Sequence, residues 1–297
     1  MIPRNRTKKW WLSLSLMVAL GLVAVLAGCG GEPQVQDGLS GSFNIIGSNT
    51  VTPLASVWAE DFMKAHPKVS ISVSGPGSGV GIAALIDRTT DICQSSRTIK
   101  AEEVAQAEAN GVHPYEIQVA SDALSVVVNP SNTVSSLTFA QLSAIYTDQI
   151  TNWKEVGGPD APIVAISRDT NSGTHAFFKE HVVQSIDKKL EYGTKVLFLP
   201  STEAGVSEVA KNPNAIFYAG LGYVTQKVKP LAIKKSGDSA AILPSVATAL
   251  DGTYPISRPL LFYTNGAPDG IIKAFVDYCL SPGGQEKVTE VGYVPLA

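Results

Sequence analysis

An α/β fold with mainly parallel sheets covered by helices is predicted by three observations. Short apolar runs alternate with stretches whose apolar residues recur at helical spacing. The alternation continues from about Phe43 to Leu280 without an internal repeat or a low-complexity segment. Several helical stretches are preceded by clusters of glycine and hydroxyl residues, which favour helix starts.

The elements follow in order. Phe43–Ile46 is a short strand, and Pro53–Ala65 is a helix with Leu54, Val57, Trp58, Phe62 and Met63 on its apolar stripe. Val69–Val73 alternates strictly, as a half-buried strand does, and Ile82–Ile86 returns to helix. Thr98–Asn110 is a second helix, ended by Gly111. Leu124–Val128 is a continuous apolar strand stopped by Asn129-Pro130. Strands are predicted at Ile163–Ile166, Val196–Leu199 and Leu260–Tyr263. Helices are predicted at Phe139–Tyr146, Thr174–Gln184, Val206–Lys211, Ala240–Leu250 and Asp269–Leu280.

The first residues carry Arg4, Arg6, Lys8 and Lys9 ahead of an apolar run from Trp10 to Ala27, which is the pattern of an export signal. The run ends in Leu26-Ala27-Gly28-Cys29, which resembles a bacterial lipoprotein cleavage site. The expectation is a signal peptide over 1–28, a lipid on Cys29 and a polar tether to residue 41. Residues 1–28 hold four of the 23 Lys+Arg and none of the 26 Asp+Glu, so their removal shifts the formal charge from −3 to −7. That balance argues against nucleic acid as a partner. Cys93 and Cys279 remain, too few for a disulfide framework and best read as two buried thiols.

The chemistry concentrates in four segments: Gly47-Ser48-Asn49-Thr50-Val51-Thr52-Pro53, Gly75–Gly81, Ser95-Ser96-Arg97-Thr98, and Arg168–Thr174. Each lies just before a helical pattern. A helix start leaves N–H groups unpaired and carries a partial positive charge, and glycine lets a ligand come close to the backbone. Ser and Thr add donors, and Arg168 offers a forked charged one. For any one segment ordinary capping explains the residues; the four together point to an anion site. Gly75–Gly81 lacks the Gly-Lys-Ser/Thr ending of a nucleotide-binding loop, and no nucleophile elbow occurs. Ser172, His175 and Asp169 crowd onto one turn, a poor geometry for a triad. His66, His113, His175 and His181 show no metal spacing, and Tyr146 and Trp153 read as packing residues. Neither a cofactor nor a metal is expected, and no catalysis.

With these four segments, with Ile150–Gly158 (Ile-Thr-Asn-Trp-Lys-Glu-Val-Gly-Gly), and with Gln141–Tyr146, Tyr254–Leu260 and Gly292–Leu296, the chain resembles the phosphate-binding proteins of ABC phosphate importers, the PstS family. The resemblance covers about Ser42 to Ala297. It implies a type II periplasmic-binding-protein fold, two α/β lobes joined by a two-strand hinge, with lobe 1 over 42–122 plus 257–297 and lobe 2 over 123–256. It implies phosphate held by Thr50, the Val51 N–H, Ser78, Ser96, Arg168, Ser172, Gly173 and Thr174, with Ser48 nearby. It also implies an extracytoplasmic, lipid-anchored monomer that docks on membrane permease subunits. Some members carry aspartate at the position of Ser96, where a carboxylate accepts the phosphate proton and repels sulfate. Here Asp122, Asp91 and Asp169 are candidate substitutes for that acceptor. Three alternatives follow: a receptor for another oxyanion such as sulfate, molybdate or tungstate, a secreted phosphate-ester hydrolase, and a sensor or adhesin on the same fold.

Overall fold

The computed structural model describes residues 38–296. The apolar run Trp10–Ala27, Cys29 and most of the tether lie outside the described residues. Among the described residues no helix is long and apolar enough to cross a membrane.

The chain builds one lobe, crosses to a second, and comes back. It opens with β1 (Gly41–Gly47), α1 (Thr52–Ala65), β2 (Val69–Ser74), α2 (Ser78–Ile86), β3 (Ile92–Ser95), α3 (Ala101–Ala109) and β4 (Pro114–Ala123). Past Leu124 come β5 (Ser125–Val128), β6 (Ser136–Thr138), α4 (Phe139–Tyr146), β7 (Val164–Arg168), α5 (Gly173–His181), β8 (Leu197–Leu199) and α6 (Thr202–Lys211). Then follow β9 (Ala215–Ala219), β10 (Lys229–Pro230), β11 (Ala232–Lys234) and α7 (Val246–Leu250). The return strand is β12 (Ser257–Asn265), followed by α8 (Gly270–Leu280) and α9 (Pro282–Glu290).

Among the described residues there are two five-stranded sheets, ordered β2-β1-β3-β12-β4 and β10-β5-β9-β7-β8. Mainly parallel sheets are predicted from sequence; each sheet instead has one reversed strand. β12 runs antiparallel to both β3 and β4. β5 runs antiparallel to β9 and β10. The reversal follows from the crossing: β4 leaves the first lobe and β12 re-enters beside it, so the two point in opposite directions. At the crossing, Leu124 N donates to Ile256 O at 2.8 Å.

Each lobe has its own aromatic core. In the first, Trp58, Phe62, Phe262 and Phe275 pack together, and Trp58 Nε1 donates to Gly284 O at 2.8 Å. In the second, Tyr146, Phe178 and Tyr218 pack together, with the Phe178 and Tyr218 rings stacked at 3.9 Å. Cys93 and Cys279 are free and buried in the first lobe, where burial pushes both thiols well above their ordinary range.

Several boundaries differ from the pattern for local reasons. The helix predicted over Ala240–Leu250 is confined to α7, because Pro244 bars the earlier turns and Ser245 caps the shorter helix, its Oγ accepting from Thr248 N at 3.1 Å. The strand read from Leu124 starts at Ser125, since Leu124 belongs to the crossing. β3, β4, β6, β9, β10, β11 and α9 fall outside the elements predicted from sequence. β4 interleaves Glu116, Gln118 and Asp122 with its apolar residues, and α9 opens with Pro-Gly-Gly.

Buried Tyr254 donates from Oη to the Leu124 carbonyl at 2.8 Å, right at the crossing. Tyr254→Phe strands that carbonyl and is expected to cost about 1–3 kcal/mol. The expected readout is a lower urea midpoint with an unchanged slope; an unmoved midpoint would show that the bond contributes nothing.

Candidate anion-binding site

Three helix starts converge where the lobes meet. α1 begins after the Ser48–Val51 turn and α2 after Gly75–Gly77. α5, from the other lobe, begins after Ser172, whose Oγ accepts from His175 N at 3.3 Å. The first-turn N–H groups of a helix have no acceptor within it, and the axial dipoles add partial positive charge at the same point.

Hydroxyls fill the space between these starts. Ser48 Oγ donates to Ser96 Oγ at 3.0 Å, and Ser78 Oγ lies 3.4 Å from Ser96 Oγ and accepts from Ser96 N at 3.1 Å. Thr50 Oγ1 and Thr174 Oγ1 are 2.8 Å apart, one from each lobe. All five side chains are buried. Gly173 allows this approach: a Cβ there would lie 2.3 Å from Ser78 Oγ and 2.9 Å from Ser96 Oγ. Gly77 has φ +126°, and a Cβ on it would meet Asn171 O at 2.6 Å. The next glycine, Gly79, donates its N–H to that same carbonyl at 3.0 Å.

Two predicted donors point elsewhere. The Val51 N–H donates within its own turn, to Ser48 O at 3.1 Å. The Arg168 guanidinium is buried but is engaged by other partners. Nη1 donates to Thr202 Oγ1 at 2.6 Å and Asn49 Oδ1 at 3.2 Å, Nη2 to Pro200 O at 2.9 Å and Nε to Leu199 O at 3.3 Å. Its contact with the first lobe therefore runs through Asn49, which also accepts from Thr202 N at 2.9 Å.

The charged donor that does reach the hydroxyls is Arg258 on β12. Its Nη1 donates to Thr174 Oγ1 and to Ser96 O, both at 3.1 Å. Its Nε and Nη2 donate to Asp122 Oδ2 at 3.0 and 2.8 Å, and the guanidinium carbon lies 5.5 Å from the Phe177 ring centroid. Asp122 Oδ1 accepts from Leu221 N at 2.9 Å. Asp91 Oδ2 accepts from Asn44 N on β1, and Asp169 Oδ1 accepts from Asn171 N within its own turn.

A family model described as the PBP superfamily domain matches residues 33–282. A Pseudomonas aeruginosa protein named phosphate-binding protein PstS is 32% identical over 95% of this chain and 94% of its own length. A Staphylococcus epidermidis protein of the same name is 34% identical over 97% of this chain and 89% of its own. The chain belongs to the PstS family. Among solved structures, a phosphate-bound substrate-binding protein from Clostridium perfringens superposes with a TM-score of 0.76 at 32% identity, covering 86% of this chain and all of that one. An ABC-type phosphate transport receptor from Vibrio cholerae superposes with a TM-score of 0.69 at 30% identity, with the same coverage.

Sequence reading of this PstS-family chain missed Arg258 as a site residue. The available signal was a pair of opposite charges, Asp122 and Arg258, each followed directly by apolar residues. It also missed Asn49, Thr202 and Tyr223, whose Oη lies 3.0 Å from Asn49 O. Their roles arise from contact between lobes distant in sequence.

His175 follows Thr174, and only its backbone N–H bonds to Ser172. Nδ1 lies 3.1 Å from Ser167 Oγ, which is 2.6 Å from Tyr218 Oη, and the ring stacks on Tyr192 at 4.7 Å. Burial pushes its pKa down to about 4. Because the folded value lies below the ordinary 6.5, the unfolded chain takes up the proton first. This contribution to stability is complete above about pH 6.5 and fades as pH falls towards 4. Between pH 7 and 4.5 the protein is expected to lose about 2–3 kcal/mol more stability than His175→Gln, measured by urea unfolding. Parallel losses in the two proteins would refute this.

Proposed function

We propose that the protein captures inorganic phosphate between its lobes and delivers it to an ABC importer, held outside the cytoplasm by a lipid on Cys29. The observation that carries this reading is the meeting of three helix starts, drawn from both lobes, around buried hydroxyls that bond across the cleft from Thr50 to Thr174. Such a set offers donors from several directions, as a tetrahedral oxyanion requires. The names of the PstS relatives and the phosphate bound in the Clostridium perfringens structure support phosphate as the ligand.

The mechanism is capture rather than catalysis. The first lobe, 42–122 with 257–297, presents Thr50, Ser78 and Ser96, with Ser48 behind them. The second, 123–256, brings Ser172, Gly173 and Thr174 onto the anion, and Arg168 clamps Asn49 as the lobes close. Hydrogen bonds to a charged ligand contribute about 1.5–3 kcal/mol each, so a handful offsets desolvation and reaches micromolar affinity, about −8 kcal/mol. The lipid-anchored monomer then docks on permease subunits. A hydrolase reading finds no support in the arrangement of Ser172 and His175, since the ring bonds to Ser167 instead.

A second reading, a receptor for another oxyanion, is favoured by one observation. Position 96 is a serine, and Asp122, the buried carboxylate nearest in role, has its Oδ2 fully engaged by Arg258. Titration calorimetry on the lipid-free, ligand-stripped mature chain separates the two. Phosphate is expected to bind at micromolar Kd or tighter, with sulfate and molybdate about a hundredfold weaker, or about 2.7 kcal/mol. Equal sulfate binding would favour the general oxyanion receptor. Gly173→Ala, which places a methyl against Ser78 and Ser96, is expected to weaken phosphate binding by about tenfold or more and to enlarge the radius of gyration in solution scattering with phosphate present. Unchanged affinity would show that the lobes need not approach this closely.

A further inference from the structure

We propose that Asn49 is an interlobe latch: it caps a helix of the opposite lobe instead of touching the anion, and so sets how fast the bound oxyanion is released. This rests on the oxyanion-capture reading and deepens it.

Asn49 sits in the first-lobe turn between Ser48 and Thr50. Its Oδ1 accepts from Thr202 N at 2.9 Å and from Arg168 Nη1 at 3.2 Å, and its main-chain O accepts from Tyr223 Oη at 3.0 Å. All three donors belong to the second lobe. Thr202 and Tyr223 lie outside the set of residues proposed to hold the anion.

The bond to Thr202 N is a cap supplied from the other lobe. Thr202 opens α6, and the first N–H groups of a helix have no acceptor within it. The cap of α6 within its own lobe, Ser201, takes Ala204 N on its hydroxyl at 3.1 Å and Gly205 N on its carbonyl at 3.3 Å. The Thr202 N–H is left over, and the Asn49 amide oxygen receives it at the positive end of the helix dipole.

The latch is firmly mounted on one side and free to let go on the other. In the first lobe, Thr52 Oγ1 donates to Ser48 O at 2.9 Å and accepts from Gln94 Nε2 at 2.8 Å, which ties the Asn49 turn to β3. A Cβ on Gly75 would lie 3.1 Å from Asn49 Cα, so the loop before α2 presses on the same turn. In the second lobe each side-chain donor has a partner that stays with it when the lobes part. Tyr223 Oη lies 3.2 Å from Glu203 Oε1, and Arg168 Nη1 keeps Thr202 Oγ1 at 2.6 Å. Opening therefore costs the Asn49 bonds and leaves neither side chain without an acceptor. These bonds form only once the lobes are together, after the anion has entered. They slow release and play no part in arrival.

The test compares the lipid-free, ligand-stripped mature chain with Asn49→Ala, which deletes Oδ1 and keeps the main-chain carbonyl, and with Tyr223→Phe, which deletes the other bond. Folding is checked by circular dichroism and thermal melting. Affinities for phosphate, sulfate and molybdate come from calorimetry. The release rate comes from chasing the radiolabelled anion with unlabelled anion, and the association rate from the ratio of the two. Asn49→Ala is expected to release the anion about tenfold faster and Tyr223→Phe about threefold faster, with association within about twofold of the parent in both. If Asn49→Ala fails to fold, Tyr223→Phe decides alone. Folded variants that release within about twofold of the parent overturn the latch, and so does slower association with unchanged release, which would make Asn49 a receiver of the incoming anion. A parent that binds sulfate or molybdate but not phosphate overturns the phosphate reading while the latch is still tested on the anion it binds. A parent that binds none overturns the capture reading and the latch with it.

Discussion

The ion pair between Asp122 and Arg258 joins the two strands on which the chain leaves and re-enters the first lobe. β4 and β12 are the longest paired strands, and they run antiparallel because one goes out as the other comes back. Placing opposite charges in register near their ends fixes the azimuth of both crossings and aims a guanidinium into the cleft with one set of bonds. Leu221 N completes the carboxylate from the second lobe, so the hinge is tied to the lobe that moves against it. Removing one partner alone would leave a bare charge in a dry site, at about 3–5 kcal/mol. The two positions are therefore best viewed as one unit.

Much of this was legible in the sequence because the fold is written in local periodicity. Strand and helix alternation gave the class, and the glycine-hydroxyl clusters marked the helix starts that meet at the site. Ser48, Thr50, Ser78, Ser96 and Thr174 are recognisable one segment at a time, since helix starts favour hydroxyl side chains and the donor chemistry is carried by the residue type. What failed was direction. Arg168 opens the fourth of the segments, yet its guanidinium turns to Thr202 and Asn49, held by the carbonyls of Leu199 and Pro200 at the end of β8 and by the Thr202 hydroxyl at the start of α6. Arg258 sits in a strand, where neither capping nor periodicity points to a ligand. A side chain's aim depends on partners far away in sequence, and no local pattern encodes it.

An acidic chain can hold an anion if the field is local. Net charge acts over a Debye length of about 8 Å at physiological ionic strength, and exposed carboxylates are screened before they reach a buried cleft. Inside, helix starts and hydroxyls supply fixed dipoles in a low dielectric, where each counts for more than in water. Contacts across the cleft include the hydrogen bonds of Thr50 to Thr174, Gly79 N to Asn171 O, and Asn49 to Arg168 and Thr202. The neutral ones contribute about 0.5–1.5 kcal/mol net each and the Arg168 bond about 1.5–3 kcal/mol, since water satisfies the same groups when the lobes part. Closure held by such bonds is finely balanced. A ligand that bonds to both halves can bias it, and the same weakness lets the lobes part again to release the ligand. An apolar interface of equal area would hold the lobes shut with or without ligand, and a delivery protein has to open.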